Sequence, residues 1–313
     1  MTTNTLGIDI GGTKISAAVI NKGNILSDVA IFSTGNTAQE IFETVISIVE
    51  RFQAEYELKA VGIATAGTVD IDNSKVTGST GNLPQGYSDL DFKGIVQEKF
   101  GLDTYIENDA NAAAYAEYIA GNAVGHKNTI TITLGTGIGG GIIVDGKLLR
   151  GKSGVGAECG HIPLTWERKR LCSCGAWDCW EAYASGTGYA KNAREMALKF
   201  YPYEKKGILL DLDAYDLTTY DIIKGLNKGD EFCQAVHDRW EELVLLGLIS
   251  LVNIFDPESI ILSGGMAKFI NFEKLEEGLN KRAVISQTKL LHAKAENNAG
   301  IIGAASLAAE KFC

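Results

Sequence analysis

"LGIDIGGTKISAAVINKGNIL", residues 6–26, runs as an apolar strand, a Gly/Thr turn, a β-branched strand, a second turn at Lys22-Gly23 and the start of a third strand. "ITITLGTGIGGGIIVDGKLL", residues 130–149, repeats the pattern, with its own second turn at Asp145-Gly146. Period-two apolar runs broken by glycine turns are hairpin signals, and two copies in one chain point to a duplicated architecture. Helical sequence follows each copy: "TAQEIFETVISIVERFQAEY" at 37–56 and "EFCQAVHDRWEELVLLGLISLVNIF" at 231–255 carry apolar residues at helical spacing. Strands alternating with helices make the class α/β. The stretch "FYPYEKKGILLDLDAYDLTTYD" at 200–221 reads as a short helical excursion in the second half.

A chain of 313 residues with 45% hydrophobic content exceeds the usual size of one core, so about two domains are expected. The net charge is −10 and no long run of lysine or arginine occurs, which removes the footprint needed to grip a nucleic-acid backbone. Any phosphate binding must therefore be local. The start, "MTTNTLGIDI", lacks the features of a signal peptide, and the longest apolar stretch, "LVLLGLISLVNIF" at 243–255, is too short to span a bilayer. The expectation is a cytoplasmic protein without membrane or nucleic-acid partners. Its 6 cysteines then read as reduced thiols or metal ligands, not as a disulfide framework.

Gly135, Gly137 and Gly140 satisfy G-x-G-x-x-G, which in a dinucleotide fold must lead from a strand into a helix. Here the β-branched run "GIIVDGKLL" follows at once, and "DIGGTK" has the wrong spacing for a Walker loop. What remains is a pair of glycine hairpin loops, which serve either as tight turns or as cradles whose N–H groups, with the Thr13 and Thr136 hydroxyls, hold a polyphosphate. Asp9 favours the second. A carboxylate inside the apolar strand "LGIDI" is costly to bury unless it meets a cation or metal-bound water.

In "YIENDANAAAYAEYIAGN", residues 105–122, Asn108 and Asp109 stand where a strand ends and an alanine-rich helix begins, and Gly121 stops that helix. Either residue suits the N-cap; a carboxylate there could equally accept a proton from a substrate hydroxyl. Further on, "HIPLTWERKRLCSCGAWDCW" at 161–180 holds two cysteines one residue apart, a third five positions on, and a histidine eleven before the first. His161, Cys172, Cys174 and Cys179 can close a tetrahedral shell on one Zn²⁺, leaving no position for a water nucleophile; free thiols are the alternative. Cys159, Cys233 and Cys313 read as ordinary structural cysteines.

Together, "DIGGTK" (9–14), "GNLP" (81–84), "ENDANAAA" (107–114), "LGTGIGGG" (134–141), "GAECGHIPL" (156–164), "CSCGAWDCWEAYASG" (172–186) and "LSGG" (262–265) resemble the ROK family of bacterial sugar kinases and sugar-responsive repressors, over nearly the whole chain. The resemblance implies a two-domain actin-like ATPase fold, a duplicated ribonuclease H-like architecture. A small N-terminal domain over 1–118, completed by a C-terminal helix at 298–313, and a large domain over 119–297 with the zinc loop are expected. By the same resemblance Asp109 is the catalytic base, and Gly67, Asn82, Asn108, Glu158, His161 and Glu181 contact the sugar. Asp9, Gly11, Gly12, Thr13, Lys14, Thr136 and Gly137 would hold ATP·Mg²⁺, with Gly264 and Gly265 beside the adenosine, and the His161 cluster one structural Zn²⁺.

The implied reaction is phosphoryl transfer from ATP to a hexose hydroxyl, in the first place O6 of glucose. An N-acetylmannosamine or other N-acetylhexosamine kinase is the alternative, followed by a fructose or mannose kinase, with polyphosphate a second possible donor. A homodimer or dimer of dimers is the expected assembly. A helix N-terminus weakens Asp109 as a base, yet phosphoryl transfer is largely dissociative, so orientation counts for more than basicity. Regulators of this family place a helix-turn-helix ahead of the first glycine loop, and with that loop beginning at Asp9 an enzyme is expected over a regulator lacking a DNA-binding domain. Two positions depart from the family's pattern. Asp178 replaces the usual glycine before the third zinc cysteine, and Cys159 replaces an aliphatic residue. Because the glycine loops lie elsewhere in the chain, loss of the cluster is expected to weaken sugar binding far more than ATP binding.

Overall fold

A computed structural model describes residues 3–78, 83–200, 206–284 and 287–313. The first copy of the opening pattern forms β1 (Thr5–Ile10), β2 (Lys14–Asn21) and β3 (Asn24–Ile25), followed by β4 (Ala30–Ser33) and α1 (Ala38–Glu55). Then come β5 (Ala60–Thr65), the small hairpin β6 (Thr68–Val69) and β7 (Val76–Gly78), α2 (Phe92–Phe100), β8 (Asp103–Asn108) and α3 (Asp109–Ala120). The second copy forms β9 (Thr129–Leu134), β10 (Ile138–Val144) and β11 (Lys147–Leu148). After it come α4 (Glu181–Ala184), α5 (Gly186–Phe200), α6 (Thr219–Leu226), α7 (Glu231–Phe255), β12 (Ser259–Ser263), α8 (Phe272–Arg282), β13 (Lys289–His292) and α9 (Ala299–Phe312).

Local chemistry explains the boundaries. Thr37 starts α1 by accepting a hydrogen bond from the Glu40 N–H, and Asp230 starts α7 by accepting one from Cys233. The 200–221 excursion contains two 3₁₀ turns, Gly207–Leu210 and Ala214–Asp216, before α6 begins at a Thr218–Asp221 capping box.

The duplication is visible in the sheets. One has the order β3-β2-β1-β5-β8, with β4 also paired to β2, and the other β11-β10-β9-β12-β13. In both, the first hairpin supplies three consecutive strands in reverse order, and later strands add on the far side. The chain divides into two compact units, residues 1–131, 140–157 and 292–313, and residues 132–139 and 158–291.

In the first unit β1 runs antiparallel to β2 and parallel to β5, which is parallel to β8. The register pairs Ile10 with Thr65 and Thr65 with Asn108, so the carboxyl ends of three parallel strands finish level. In open parallel sheets that edge is where ligands bind. Strand alternation divides the faces. Leu6, Ile8 and Ile10 join a core with Ile41, Val45 and Phe52 of α1 and Phe92 and Val96 of α2. Gly7 and Asp9 point the other way, toward α9, where small residues prevail: Ala64, Ala112 of α3 and Ala304 of α9 pack together. The second unit is organised around α7; Trp180, packed on its Gly247, and its own Trp240 are both completely buried. Their indole N–H groups donate to Leu243 O at 2.9 Å and Ala184 O at 2.7 Å. Among the described residues no helix is long and apolar enough to cross a membrane.

The close approach of α9 to the sheet depends on missing β-carbons. A Cβ at Gly62 would lie 2.0 Å from the Ala304 carbonyl oxygen, a backbone atom that cannot swing aside. Gly62→Val is expected to lower stability by about 3 kcal/mol or more in denaturant unfolding. An unchanged midpoint would mean that α9 does not pack on this sheet.

Candidate active site and metal centre

In the first unit the level strand ends carry the chemistry. The loop between β1 and β2 is tied down by the Gly11 N–H donating to Lys14 O at 3.0 Å and by the Thr34 hydroxyl donating to Gly11 O at 2.6 Å. Gly12, Thr13 and Lys14 stay exposed. Asp9 sits behind them, beneath the first turn of α9, where a Cβ on Gly300 would come within 2.5 Å of its carboxyl carbon. Burial pushes the Asp9 carboxyl up to about 7, the Asp109 charge adds to this, and Lys14 opposes it.

Of the two residues suited to capping α3, the structure uses Asn108. Asn108 is the cap, its side-chain oxygen accepting from the N–H groups of Ala110 at 2.9 Å and Asn111 at 3.1 Å. Its amide nitrogen donates to Gly67 O at 2.9 Å, and Gly67 supports that contact with φ of 99°, a conformation glycine adopts readily. Asp109 is the exposed first residue of α3, with one oxygen accepting from the Ala110 N–H at 2.8 Å. Asn82 lies outside the described residues.

Sequence reasoning missed the support behind this pair. Glu107 is fully buried and lies 3.1 Å from the Arg150 Nε, an ion pair without hydrogen-bond alignment. One Glu107 oxygen accepts from Asn108 N at 3.0 Å and from the Asn111 side chain at 3.1 Å, and the other accepts from Asn73 at 3.2 Å. Burial raises its pKa while Arg150 and these donors oppose the rise. Arg150 also donates to Asp70 O, Ile71 O and the Asn73 side chain, so the β6–β7 turn is held against β8. Thr65 and Tyr87, whose hydroxyls lie 2.8 Å apart, were likewise missed. Glu107 carries no local clue, because β8 also holds Asp103, Thr104 and Asn108.

In the second unit His161, Cys172, Cys174 and Cys179 converge, with one ligand atom from each within 4.8 Å of the others. The sulfurs of Cys174 and Cys179 are 3.7 Å apart, as are the Cys172 sulfur and the His161 Nδ1. A tetrahedron with Zn–S of about 2.3 Å and Zn–N of about 2.0 Å has edges of about 3.5–3.8 Å, close to these two separations, so the donor set fits Zn²⁺ in chemistry and these two edges fit it in spacing. The other ring nitrogen of His161, Nε2, points to Glu158 at 3.9 Å. Cys159 and Cys233 stand apart from the cluster as buried thiols, each pushed up to about 12 by burial.

Asp178 takes the left-handed conformation in place of glycine, with φ of 59°. Its fully buried carboxylate accepts from the N–H groups of Lys169 at 3.0 Å and Arg170 at 2.8 Å and from the Tyr183 hydroxyl at 2.7 Å. Burial works against its charge, but these donors outweigh it and hold its pKa below the usual carboxylate range. Trp180, next to Cys179, anchors the loop on α7.

The second glycine loop is in the same unit. Gly135 N–H closes the turn onto Gly137 O at 2.9 Å, and strand β10 follows directly, so the dinucleotide context is absent. Gly264, with φ of 87°, packs on Leu134, whose carbonyl accepts from Met266 N–H at 3.0 Å. That puts Gly264 and Gly265 next to Thr136 and Gly137. Glu181 reaches the same loop, one oxygen accepting from the Ile138 N–H at 2.9 Å.

Comparison with known proteins identifies the family. The family model for the ROK family matches residues 5–311. The chain is 38% identical to the glucokinase of Streptomyces coelicolor over 98% of each chain. It is 34% identical to a ROK family glucokinase from Streptomyces griseus, crystallised in complex with glucose and AMPPNP, with a TM-score of 0.77 over 98% of this chain and 99% of that one. A ROK hexokinase from Thermus thermophilus is 30% identical, with a TM-score of 0.81 over 99% of both chains.

The half-buried Asp9 sets a pH signature. Its pKa rises from 3.8 in the unfolded chain to about 7 in the folded one, so between those values the native state holds the extra proton. Stability therefore falls as pH rises through this window, and the cost is complete above it. Asp9→Asn, measured without metal, should melt several degrees above the wild type at pH 8 and close to it at pH 4. Equal melting temperatures at pH 8 would contradict the burial cost.

Proposed function

Because the chain belongs to the ROK family, we propose that it is a sugar kinase transferring the γ-phosphoryl group of ATP to a hexose, glucose in the first place, at O6. Support comes above all from the two carboxylates that feel each other's charge, Asp9 half-buried at the end of β1 and Asp109 exposed at the start of α3. Phosphoryl transfer asks for two acidic groups in different roles, one for the metal and one for the attacking hydroxyl.

Asp109 would hold the hydroxyl in line and accept its proton. Its fixed place at the start of α3 suits a group whose main task is orientation. Asn108, fixed by its cap bonds and by Gly67, retains one amide hydrogen for a sugar hydroxyl. Gly11, Gly12, Thr13, Lys14, Thr136 and Gly137 would offer donors to the phosphates, and Gly264 and Gly265 would accommodate the adenosine. Mg²⁺, when bound, neutralises charge on the phosphates, and Asp9 is the residue suited to hold it through water. Glu158, His161 and Glu181 would add sugar contacts. The His161 cluster would hold one Zn²⁺ with four protein ligands, a clamp on the loop that carries these groups, not a source of activated water.

A coupled assay over hexoses and N-acetylhexosamines tests the substrate. ADP formation should depend on the sugar and be fastest with glucose; preference for N-acetylmannosamine would move the assignment to the alternative, and no response to any hexose would overturn it. Asp109→Asn should leave the melting temperature nearly unchanged, because Asn108 is the cap, while kcat falls on the order of 10²-fold or more. Near-normal turnover would remove Asp109 from its role.

A further inference from the structure

We propose that Glu181 couples the cysteine cluster to the second glycine loop, so that zinc and nucleotide bind with positive linkage and Glu181 acts as a positioning residue for the phosphate site. This rests on the reading of residues 135–137 as a nucleotide loop. It also replaces the expectation, based on distance along the chain, that loss of the cluster would spare ATP binding.

Glu181 is shared between the two sites. Its Oε2 accepts from the Ile138 N–H at 2.9 Å, and its Oε1 accepts from the Ser173 hydroxyl at 3.1 Å and lies 3.6 Å from the Cys172 sulfur. The fit is close enough that a Cβ on Gly137 would stand 2.5 Å from Oε2. A second contact reaches the same residue from the other end of the cluster. Gly160, next to the ligand His161, lies so near the Ile138 carbonyl that a Cβ there would be 2.3 Å from its oxygen. Both main-chain polar groups of Ile138 are thus flanked by residues adjoining zinc ligands.

The segment after Glu181 completes the grip. Gly186 N–H donates to Gly135 O and the Thr187 hydroxyl to Thr136 O, each at 2.8 Å. The shape of the loop at 135–138 is therefore imposed by residues that begin and end the zinc loop. Between Ile162 and Trp180 the described residues of that zinc loop form no helix or strand; they are held by the isolated bridges Pro163–Cys179 and Leu171–Trp177, a few backbone hydrogen bonds and the Asp178 contacts. An irregular segment without a sheet of its own owes its order to cross-links, and a metal joining His161 to Cys179 removes much of its conformational freedom. Ordering by one ligand lowers the cost of ordering for the second, and linkage makes the effect reciprocal.

The test is titration of AMPPNP·Mg²⁺ without sugar, by calorimetry, into zinc-loaded and chelator-stripped protein, with zinc content and circular dichroism measured on the same samples. Stripping should weaken the nucleotide about 10-fold in the wild type. Glu181→Ala should retain zinc, bind nucleotide about as weakly as the stripped wild type, and lose the dependence on zinc. Glu181→Gln can still accept from Ile138 and donate to Ser173, so it should recover most of the dependence, which a general loss of stability would not do. The zinc-loaded Glu181→Ala arm needs no stripping and stands even if the metal-free chain unfolds. Wild-type nucleotide affinity in that variant would overturn the proposal, as would a stripped, folded wild type that binds undiminished. Failure of the zinc-loaded wild type to bind AMPPNP would overturn the nucleotide-loop reading and the linkage with it.

Discussion

A half-buried carboxylate at the end of β1 is the constraint that shapes this edge of the first unit. Asp9 faces α9 and not the aliphatic core, because strand alternation sends Ile8 and Ile10 to one side and Gly7 and Asp9 to the other. The helix can cover it only because position 300 is glycine. Burial without a cation penalises the charge, so the native state keeps a strained feature that the aliphatic face of the same sheet does not need. Such costs concentrate where function demands a group that stability alone would replace. The Asp109 carboxylate, near enough to raise Asp9 further, sharpens that cost.

The second unit meets a related problem with different means. Its irregular loop around the cysteines must hold a fixed shape without strands of its own. Asp178 contributes by taking the left-handed conformation that the family's pattern assigns to glycine, and by turning its carboxylate into a node for two backbone N–H groups and the Tyr183 hydroxyl. Arg170 extends the node: its guanidinium lies 4.3 Å from the Tyr183 ring centroid, donates to Ala182 O at 2.9 Å and pairs with Glu195 at 2.7 Å. A glycine would make the turn but not these cross-links. The departure from the family's pattern thus exchanges backbone freedom for a buried polar network.

What sequence revealed and what it hid follow from the range of the interactions. The two hairpins, α1 and α7 were legible because strand and helix periodicity are local, and α7 begins and ends where the pattern at 231–255 does. The His161 cluster was legible because zinc ligation requires particular residue types at short spacing. Which of Asn108 and Asp109 caps α3 was not, since neighbouring residues both suited to capping are separated only by backbone geometry. Neither the Glu107–Arg150 pair nor the contact of Glu181 with Ile138 leaves a local signal, because each joins residues more than forty positions apart in sequence.

The central claim is transfer of a phosphoryl group to a sugar, and the product reports it directly. With ATP, Mg²⁺ and glucose, ³¹P nuclear magnetic resonance should show a hexose phosphomonoester growing in step with ADP, its coupling to the C6 protons placing the phosphate on O6. Release of inorganic phosphate with no sugar phosphate, or no consumption of ATP by zinc-loaded protein that binds both ligands, would contradict the account.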